Sequence, residues 1–372
     1  MASPLSGLLV LDFTTLLPGP MATLMLVEAG AEVVKIERPP IGDEMRTYLP
    51  AWGKESVNFA ILNRGKKSVA PDLKNKADRA KLDPLIARAD VIVEQFRPGV
   101  MARLGLDYET LSKINPRLIY ASITGYGQNG PKRDVAGHDM NYIGDAGLLA
   151  LSHGNAANPV IPPALIADIA GGAYPAFMNI LLAVIGRHST GKGAYIDVAM
   201  TDNIFPFMYW AIGNTLGDGV TPGNGADLVT GGTPRYQLYP TSDGRMVAAA
   251  PIEQKFWENF CTLIGLEPAL REDTRDPAAT KAGVRALIGA KTAEHWRATF
   301  TGQDCCCSIV ATVQEALADP HFAARGLFNR TVQNEAGATI PALPTSVLPP
   351  FLAETATGAP PALGEHNKAL LG

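Results

Sequence analysis

The stretch Leu8-Leu9-Val10-Leu11-Asp12-Phe13, followed by Pro18-Gly19-Pro20 and then by Glu32-Val33-Val34-Lys35-Ile36, decides the fold class. The two apolar runs are typical of buried strands, and Pro18 is expected to begin an amphipathic helix that Gly30 ends. A strand, a helix and a second strand in this order predict a βαβ unit, in which the two strands are parallel.

The same alternation continues along the chain. A predicted helix over residues 76–88 leads to Val91-Ile92-Val93, and another over residues 108–114 leads to Leu118-Ile119-Tyr120-Ala121-Ser122-Ile123. Short buried strands that alternate with helices are typical of a parallel sheet with helices on both faces. We therefore expect an α/β fold built on a parallel, Rossmann-like sheet.

A change in composition after residue 216 predicts a second domain. Two apolar helices, over residues 174–185 and 196–216, are expected to end the first domain, and a hairpin over residues 236–249 to begin the second. The predicted order is a large α/β domain over residues 1–216, a linker over 217–232, a small α+β domain over 233–330 and a C-terminal return to the large domain over 331–372.

The bulk composition limits the classes of partner. A chain of 372 residues with 47% hydrophobic and 18% charged residues can bury a sizeable core. The net charge of −4 argues against nucleic acid or a membrane surface as a partner. Because Met1-Ala2-Ser3-Pro4 does not resemble an export signal and we expect no apolar run long enough to cross a bilayer, a cytoplasmic protein is predicted.

Two features of the sequence resemble cofactor sites but lack the residues that such sites need. Cys261 and Cys305-Cys306-Cys307 lack CxxC pairs and metal-ligand spacing, which predicts reduced thiols and no metal site. The run Gly125-Tyr126-Gly127-Gln128-Asn129-Gly130 matches GxGxxG, but Pro131-Lys132-Arg133 follows it where a dinucleotide site needs a helix. We therefore expect neither a metal nor NAD.

The best candidates for chemistry lie in Gly137-His138-Asp139-Met140-Asn141-Tyr142 and Ala167-Asp168-Ile169-Ala170-Gly171-Gly172. An imidazole and a carboxylate on opposite sides of a carbon can remove a proton from one face and return it to the other. The plainer alternatives are a hydrogen-bonded core histidine and an aspartate that caps a helix. Asp139 and Glu253 are further carboxylates able to support an imidazole.

Short motifs are spread along the whole chain. They are Leu11-Asp12-Phe13 with Pro18-Gly19-Pro20, Ile36-Glu37-Arg38-Pro39, Asn63-Arg64-Gly65-Lys66-Lys67-Ser68, Arg97-Pro98-Gly99, Gly125-Tyr126-Gly127 with Gly130-Pro131, Gly191-Lys192-Gly193, Asp243-Gly244-Arg245, Asp319-Pro320-His321 and Leu363-Gly364-Glu365-His366. As a set they resemble the class III CoA-transferase superfamily.

This resemblance implies a site and an assembly. In the transferase branch the acid matched by Asp168 is a nucleophile, whereas in alpha-methylacyl-CoA racemases it is a proton-transfer base. The Gly-His-Asp-x-Asn-Tyr run resembles the racemase branch, in which the residue matched by His138 is the second base and the residue matched by Glu253 supports it. The resemblance also implies an intertwined homodimer and an acyl-CoA substrate, with no cofactor beyond the CoA moiety.

Cationic side chains at or soon after predicted strand ends are candidates to hold the CoA phosphates, because open α/β sheets bind ligands at that edge. Their alternative role is a solvated charged face. The predicted CoA-binding residues are Arg38, Arg64, Lys66, Lys67, Arg97 and Arg103, with Tyr142 as a wall of the thioester pocket.

The sequence thus favours a racemase or epimerase of 2-methylacyl-CoA thioesters that works by two-base proton transfer through an enolate, with His138 and Asp168 as the bases. Backbone N–H groups behind Asp168 are expected to stabilise the enolate oxygen. Two alternatives stay open: CoA transfer with Asp168 as nucleophile, and an acyl-CoA-binding protein without catalysis. Asp145, where relatives carry apolar or small residues, leaves the acyl group undetermined.

Overall fold

The computed structural model describes residues 3–353 and 358–372, and the chain divides into two compact units. The first comprises Met1–Ala146, Ala164–Pro206 and Ala323–Gly372, and the second comprises Gly147–Pro163 and Phe207–Phe322. Residues 354–357 of the C-terminal return predicted over 331–372 lie outside the described residues.

The strands of the described residues are, in chain order, β1 (Leu9–Asp12), β2 (Glu32–Ile36), β3 (Ala51–Trp52), β4 (Glu55–Ser56), β5 (Lys67–Val69), β6 (Val91–Glu94), β7 (Ile119–Thr124), β8 (Gly154–Asn155), β9 (Asn158–Pro159), β10 (Ala194–Ala199), β11 (Gln237–Pro240), β12 (Met246–Ala249), β13 (Cys307–Ile309), β14 (Thr331–Gln333) and β15 (Thr339–Pro341).

The α-helices are α1 (Pro18–Glu28), α2 (Val57–Asn63), α3 (Lys76–Ala80), α4 (Asp83–Arg88), α5 (Val100–Arg103), α6 (Tyr108–Ile114), α7 (Asp139–Asp145), α8 (Tyr174–Thr190), α9 (Tyr209–Gly217), α10 (Gln254–Ile264), α11 (Pro268–Arg271), α12 (Pro277–Gly289), α13 (Ala293–Phe300), α14 (Val313–Leu317), α15 (Pro320–Ala324) and α16 (Asn367–Leu370). A π-helical segment covers Ala167–Ala173, and 3-10 turns cover Glu44–Thr47, Leu149–Leu151, Asp202–Met208, Leu228–Thr230 and Pro349–Phe351.

A six-stranded sheet in the order β10-β7-β6-β1-β2-β5 forms the centre of the first unit. Every pair of neighbours is parallel, with Val10 opposite Val33 on one side and opposite Val91 on the other. The predicted parallel α/β sheet is therefore confirmed. Chain order runs outward in opposite directions from β1 and β6, so the topological switch point lies between these two strands, where such sheets bind ligands.

Helix α1 differs from its prediction as an amphipathic helix. All of its residues are buried, so it crosses the interior of the unit and is covered on every side. The carboxylate of Glu28 at its C-terminal end is buried against the Arg64 guanidinium and also accepts a hydrogen bond from Arg330, at 3.1 Å. This arrangement satisfies a charge that would otherwise be costly in the core.

The second unit contains a three-stranded antiparallel sheet in the order β11-β12-β13, packed against helices. Its first two strands form the predicted hairpin, with Tyr239 opposite Val247. The core of this unit is rich in aromatic residues, and Trp296 stacks on Phe300 with ring centroids 5.5 Å apart. The indole N–H of the buried Trp257 donates to the Arg271 carbonyl at 2.8 Å. The polar tip of the indole is thus satisfied.

Several predicted boundaries differ from the observed ones. The helix predicted over 76–88 is two helices, α3 and α4, and the helix predicted over 196–216 is wrong, because these residues form β10, a 3-10 turn and α9. The second unit begins at Phe207 rather than 233, and it also takes in Gly147–Pro163. Two hydrogen bonds hold Gly147–Pro163 in the second unit. The His153 N–H donates to Asn224 Oδ1 at 3.0 Å, and the Gly225 N–H donates to the Leu151 carbonyl at 2.8 Å.

One helical stretch of the described residues has the length and composition of a membrane span. Ala167–Thr190 is 24 residues long, its most apolar window has a mean hydropathy of 1.6, and 39% of that window is buried. The prediction that no such stretch exists is wrong by this criterion. The helix of a folded domain passes the same test, and this stretch carries the candidate base Asp168 near its start.

Candidate active site

A cleft with a volume of about 450 Å³ lies in the first unit, beside the carboxyl ends of β1, β6 and β7. We call it the His138 cleft. The loops after these strands supply most of its walls, as expected at the switch point of the sheet. Its lining residues include Leu16, Gln95, Phe96, Arg97, Ile123, Tyr126, Arg133, Val135, His138, Tyr142, Asp168 and Met200. The structure therefore brings the two predicted bases to one cleft.

His138 occupies the N-cap position of α7, where its backbone is extended. Its backbone N–H donates to Asn141 Oδ1 at 3.0 Å, and its carbonyl accepts from the Asn141 N–H at 2.8 Å. An asparagine three residues into a helix fixes the entry of the chain in this way. The His138 backbone is thereby held in place at the wall of the cleft.

Asp168 lies in the π-helical segment Ala167–Ala173, which continues directly into α8. Its backbone N–H donates to Asp139 Oδ1 at 3.0 Å. A Cβ on Gly171 would lie 2.4 Å from the Met200 carbonyl oxygen, so only glycine allows this close approach of the two backbones. Wide π turns in helices are frequent at functional sites.

Burial, with a smaller contribution from the nearby Asp139 carboxylate, raises the pKa of the Asp168 carboxyl to about 6, while His138 opposes the rise. Desolvation disfavours the charged form of an acid, and a neighbouring negative charge has the same effect. A carboxyl group with a pKa near 6 can both accept and donate a proton close to neutral pH. Asp168 therefore has the electrostatic properties of an acid/base group.

The expected enolate donors nearest to Asp168 are already used. The Asp168 N–H donates to Asp139, and the Ile169 N–H donates to the Leu165 carbonyl at 3.1 Å. A donor engaged by the protein does not contribute to an oxyanion site without breaking that bond. The prediction that these N–H groups stabilise an enolate is thus wrong for the two closest ones.

Tyr142 forms part of the cleft wall, as predicted, and its hydroxyl donates to the Gly137 carbonyl. Its ring packs edge to face on Tyr126, with centroids 5.3 Å apart, and a Cβ on Gly125 would lie 2.3 Å from it. The first glycine of the GxGxxG run therefore makes room for an aromatic ring. Burial raises the pKa of Tyr142, and the Asp168 carboxylate contributes to that rise.

Two of the predicted CoA-binding residues are buried among protein partners. Lys66 Nζ donates to Asp12 Oδ2, the Pro20 carbonyl, Thr23 Oγ1 and Asn63 Oδ1, at 2.8–3.0 Å. Burial lowers the pKa of Lys66 to about 8, against the opposing effect of Asp12.

Arg64 is only 1% exposed and pairs with Glu28. The Arg64 guanidinium and the Lys66 ammonium are both already paired with buried protein atoms. The structure therefore contradicts the prediction that these two residues bind CoA, and they are not part of the proposed CoA site.

The other predicted cations lie nearer to solvent. The Lys67 side chain pairs with Glu32 at 2.7 Å and is 42% exposed. Arg38 lies 3.9 Å from Glu44 with its side chain 65% exposed, and Arg97 lines the His138 cleft. Arg103 is exposed on α5. Arg38 and Arg97 are therefore the predicted cations best placed to meet an anionic ligand.

Glu253 belongs to the second unit, where it is exposed at the N-cap of α10. Its predicted support of His138 remains a prediction. Cys261 and the three cysteines Cys305–Cys307 are free, and among residues 3–353 and 358–372 no three His, Cys, Asp or Glu side chains are grouped as metal ligands.

Asp145 does not line the His138 cleft. Its Oδ2 accepts from the Tyr126 hydroxyl at 2.7 Å and pairs with Lys132 Nζ at 2.9 Å, and these two contacts lower its pKa. The Asp145 charge is thus compensated by Tyr126 and Lys132. It places no free carboxylate beside an enolate.

The cleft wall also contains residues that no sequence motif predicted, among them Leu16, Gln95 and Arg133. Gln95 follows directly after β6, so the strand-end rule that selected Arg97 would also have selected it. Nothing in the sequence marks Leu16, because its placement depends on a left-handed backbone with a φ of 62°.

Comparisons with known proteins agree with the motifs. The family model described as CoA-transferase family III matches residues 5–367. The chain is 35% identical to an acetyl-CoA:oxalate CoA-transferase of Acetobacter aceti, over 87% of this chain and 85% of that one. It is 32% identical to the alpha-methylacyl-CoA racemase of Homo sapiens, over 99% and 92%.

A crystal structure of a CAIB/BAIF family protein from Brucella suis superposes with a TM-score of 0.84 at 30% identity, covering 99% of this chain and 98% of that one. The family resemblance inferred from the motifs is confirmed, and the relatives include both racemases and transferases. On this evidence the chain belongs to CoA-transferase family III.

Proposed function

We propose that the protein is a racemase or epimerase of 2-methylacyl-CoA thioesters. Asp168 and His138 act as the two bases: one removes the proton from the carbon next to the thioester carbonyl, and the other returns a proton to the opposite face. The intermediate is an enolate. Family membership supports an enzyme that is either a racemase or a CoA-transferase, and the residues of the cleft favour the first.

The observation that carries this proposal is that His138 and Asp168 line one cleft and interact electrostatically. Two-base transfer requires one group protonated and the other ionised at the start of each turnover. A carboxyl with a pKa of about 6 can begin a turnover in either form, so it is suited to work as one of a pair with His138. A carboxylate that acts as a nucleophile is already ionised and does not need a second base beside it.

CoA transfer is the second candidate, and the 35% identity to an acetyl-CoA:oxalate CoA-transferase favours it. In that reaction the Asp168 carboxylate attacks the thioester carbonyl and CoA leaves as the thiolate, which then attacks the Asp168 carbonyl of the mixed anhydride and releases the donor acid. The acceptor carboxylate displaces CoA from the resulting aspartyl thioester to form a second anhydride, and the thiolate attacks the acceptor carbonyl of that anhydride to give the acceptor-CoA and free Asp168.

Incubation with 2-methyloctanoyl-CoA in deuterated water, without an acceptor acid, separates the two reactions. Deuterium at the α-carbon, detected by mass spectrometry, supports racemisation when the enantiomers also interconvert and that interconversion is absent with the His138→Gln variant. An Asp168 anhydride trapped by hydroxylamine, with no deuterium incorporated, would reject it in favour of transfer. CoA binding with neither product would indicate a binding protein without catalysis.

We also propose that the protein works as a cytoplasmic homodimer. Met178, Leu182 and Ile185 form an apolar row on α8, and they are 53%, 64% and 66% exposed. Exposed apolar rows of this kind usually mark a protein–protein contact. Free thiols at all four cysteines are typical of a reducing compartment. Light scattering during size-exclusion chromatography tests the dimer, and a monomeric mass would reject it.

A further inference from the structure

Leu16 has an unusual backbone conformation at the wall of the His138 cleft. Its φ is 62°, and it is one of two non-glycine residues with positive φ among the described residues. Side chains larger than glycine rarely adopt this conformation, because the Cβ atom comes too close to the backbone. Such strain persists only where surrounding contacts impose it, and it is concentrated at functional sites.

The contact that imposes it comes from Asp43, which is completely buried. Asp43 Oδ1 accepts hydrogen bonds from the backbone N–H groups of Leu16 and Met45, each at 3.0 Å. Asp43 Oδ2 pairs with the buried Lys35 ammonium at 2.9 Å, and Lys35 also donates to the Thr14 carbonyl at 2.7 Å. The buried pair of Lys35 and Asp43 therefore makes hydrogen bonds to the backbone on both sides of Thr15.

Gln95 holds the same segment from the opposite side. Its Nε2 donates to the Thr15 carbonyl at 3.1 Å, and its Oε1 accepts from the Gly19 N–H at 3.0 Å. Because Gln95 itself lines the cleft, the segment from Thr14 to Gly19 is fixed as part of the cleft wall. Pre-organised walls of this kind give a site its geometry without adjustment on binding.

We propose that Asp43 is a positioning residue: its carboxylate holds Leu16 in the left-handed conformation and so shapes the wall of the cleft against which the acyl group packs. This inference rests on the proposed function for the identity of the ligand. Other apolar residues of the wall, Phe96, Ile123, Val135 and Met200, match an apolar acyl chain. Asp43 itself touches no substrate.

Binding without turnover tests the proposal, by calorimetric comparison of 2-methyloctanoyl-CoA with free CoA. The matched variants are Asp43→Asn, which keeps an acceptor for Leu16, and Asp43→Ala, which does not; both lose the charge that pairs with Lys35. Discrimination is the dissociation constant of free CoA divided by that of 2-methyloctanoyl-CoA. We expect this ratio to be about 10-fold lower in Asp43→Ala than in Asp43→Asn, while the affinity for free CoA differs by less than about 2-fold.

Coupling to Leu16 separates positioning from a general effect on folding. Leu16→Gly already removes the side chain, so adding Asp43→Ala to it should cause no further loss of acyl discrimination. Equal ratios in Asp43→Ala and Asp43→Asn, additive losses, or a wild-type protein that binds CoA and its thioester equally would overturn the proposal. A wild-type protein that discriminates but exchanges no α-proton would reject the proposed function alone.

Two further measurements remain decisive if either variant fails to fold. The same comparison is made with Lys35→Met added to both variants, because removing a buried pair together leaves no unpaired charge. Independently, thermal unfolding should show Leu16→Gly to be more stable than Leu16→Ala, since glycine adopts positive φ without strain. The reverse order would contradict an enforced conformation at Leu16.

Discussion

The carboxylate of Asp139 accepts a hydrogen bond from the backbone N–H of Asp168, at 3.0 Å. Asp139 is the residue after His138 and the first residue of α7, so this bond links the element that carries one candidate base to the element that carries the other. Asp139 is 5% exposed, and its charge also raises the pKa of Asp168. It therefore acts on both the geometry and the protonation of the pair.

Removing that charge should change the pH dependence of catalysis. In Asp139→Asn the amide oxygen can still accept from the Asp168 N–H, but the electrostatic contribution that raises the Asp168 pKa is lost. We expect the Asp168 pKa to fall by up to about one unit, with a modest loss of rate. Asp139→Ala, which also loses the hydrogen bond, should reduce α-proton exchange by about 10-fold or more. Equal rates in the two variants would contradict a role for the bond.

The acid limb of the wild-type pH profile follows from the Asp168 pKa of about 6. A carboxyl is ionised above its pKa, so lowering the pH through about 6 adds a proton to Asp168 and removes its capacity to act as a base. We expect kcat/KM for exchange to fall as the pH drops through this range, and in Asp139→Asn to fall only at a lower pH. A profile that is flat between about pH 5 and 7 would reject Asp168 as a base.

Glu94 should make stability depend on pH. It is 3% exposed at the end of β6, and its carboxylate accepts hydrogen bonds from the Phe96 N–H, at 2.8 Å, and from the Ser122 hydroxyl. Burial, with a smaller contribution from Asp197, raises the pKa of Glu94 from 4.5 to about 7. The folded protein binds the Glu94 proton more tightly than the unfolded chain does. The free energy of unfolding therefore decreases as the pH rises from about 4.5 to about 7.

The matched variant is Glu94→Gln, which does not titrate; its amide oxygen can still accept from the Phe96 N–H, and its NH2 group can donate to the Ser122 hydroxyl oxygen. Between about pH 5 and pH 8 the wild type should lose about 2–3 kcal/mol of stability relative to this variant, measured by urea unfolding. Other titrating groups cancel in the difference. Parallel stability curves for the two proteins would show that Glu94 is ionised in the fold without penalty.

The cations of the first unit should separate into two classes. Arg38→Ala and Arg97→Ala should each weaken CoA binding by about 10-fold, with the loss smaller at high salt. Lys66→Met should instead lower the free energy of unfolding by about 3 kcal/mol or more, because Asp12 loses a buried partner. Lys192→Ala, exposed in the loop before β10, serves as the control. A CoA defect in folded Lys66→Met without loss of stability would contradict this division.

Local pattern explains why the sheet could be predicted and several details could not. The strands β1, β2, β6 and β7 are apolar runs between clear helix signals, so the sequence alone identifies them. The edge strand β5, at Lys67–Val69, is too short and polar to show a pattern. The burial of α1 on every side depends on the elements that cover it, which no periodicity within the helix reveals.

Some residues of the candidate site could likewise be predicted from the sequence, and others could not. His138 and Asp168 were identified from residue type and motif, and the structure brings them to one cleft. The predicted exposure of Arg64 and Lys66 failed because their carboxylate partners, Glu28 and Asp12, lie 36 and 54 positions away in the sequence. Pairing over such separations is set by the tertiary fold. The strained backbone of Leu16 likewise depends on a distant side chain.

The central claim is that two bases act from opposite sides of one carbon, and enantiomer-specific exchange tests it most directly. Pure (2R)- and (2S)-2-methyloctanoyl-CoA are incubated in deuterated water with the wild type, His138→Gln and Asp168→Asn. The wild type should exchange and racemise both enantiomers, whereas each variant should exchange the α-proton of one enantiomer without racemising it, and the two variants should act on opposite enantiomers. Racemisation by either variant at the wild-type rate, or exchange of the same enantiomer by both, would contradict the account.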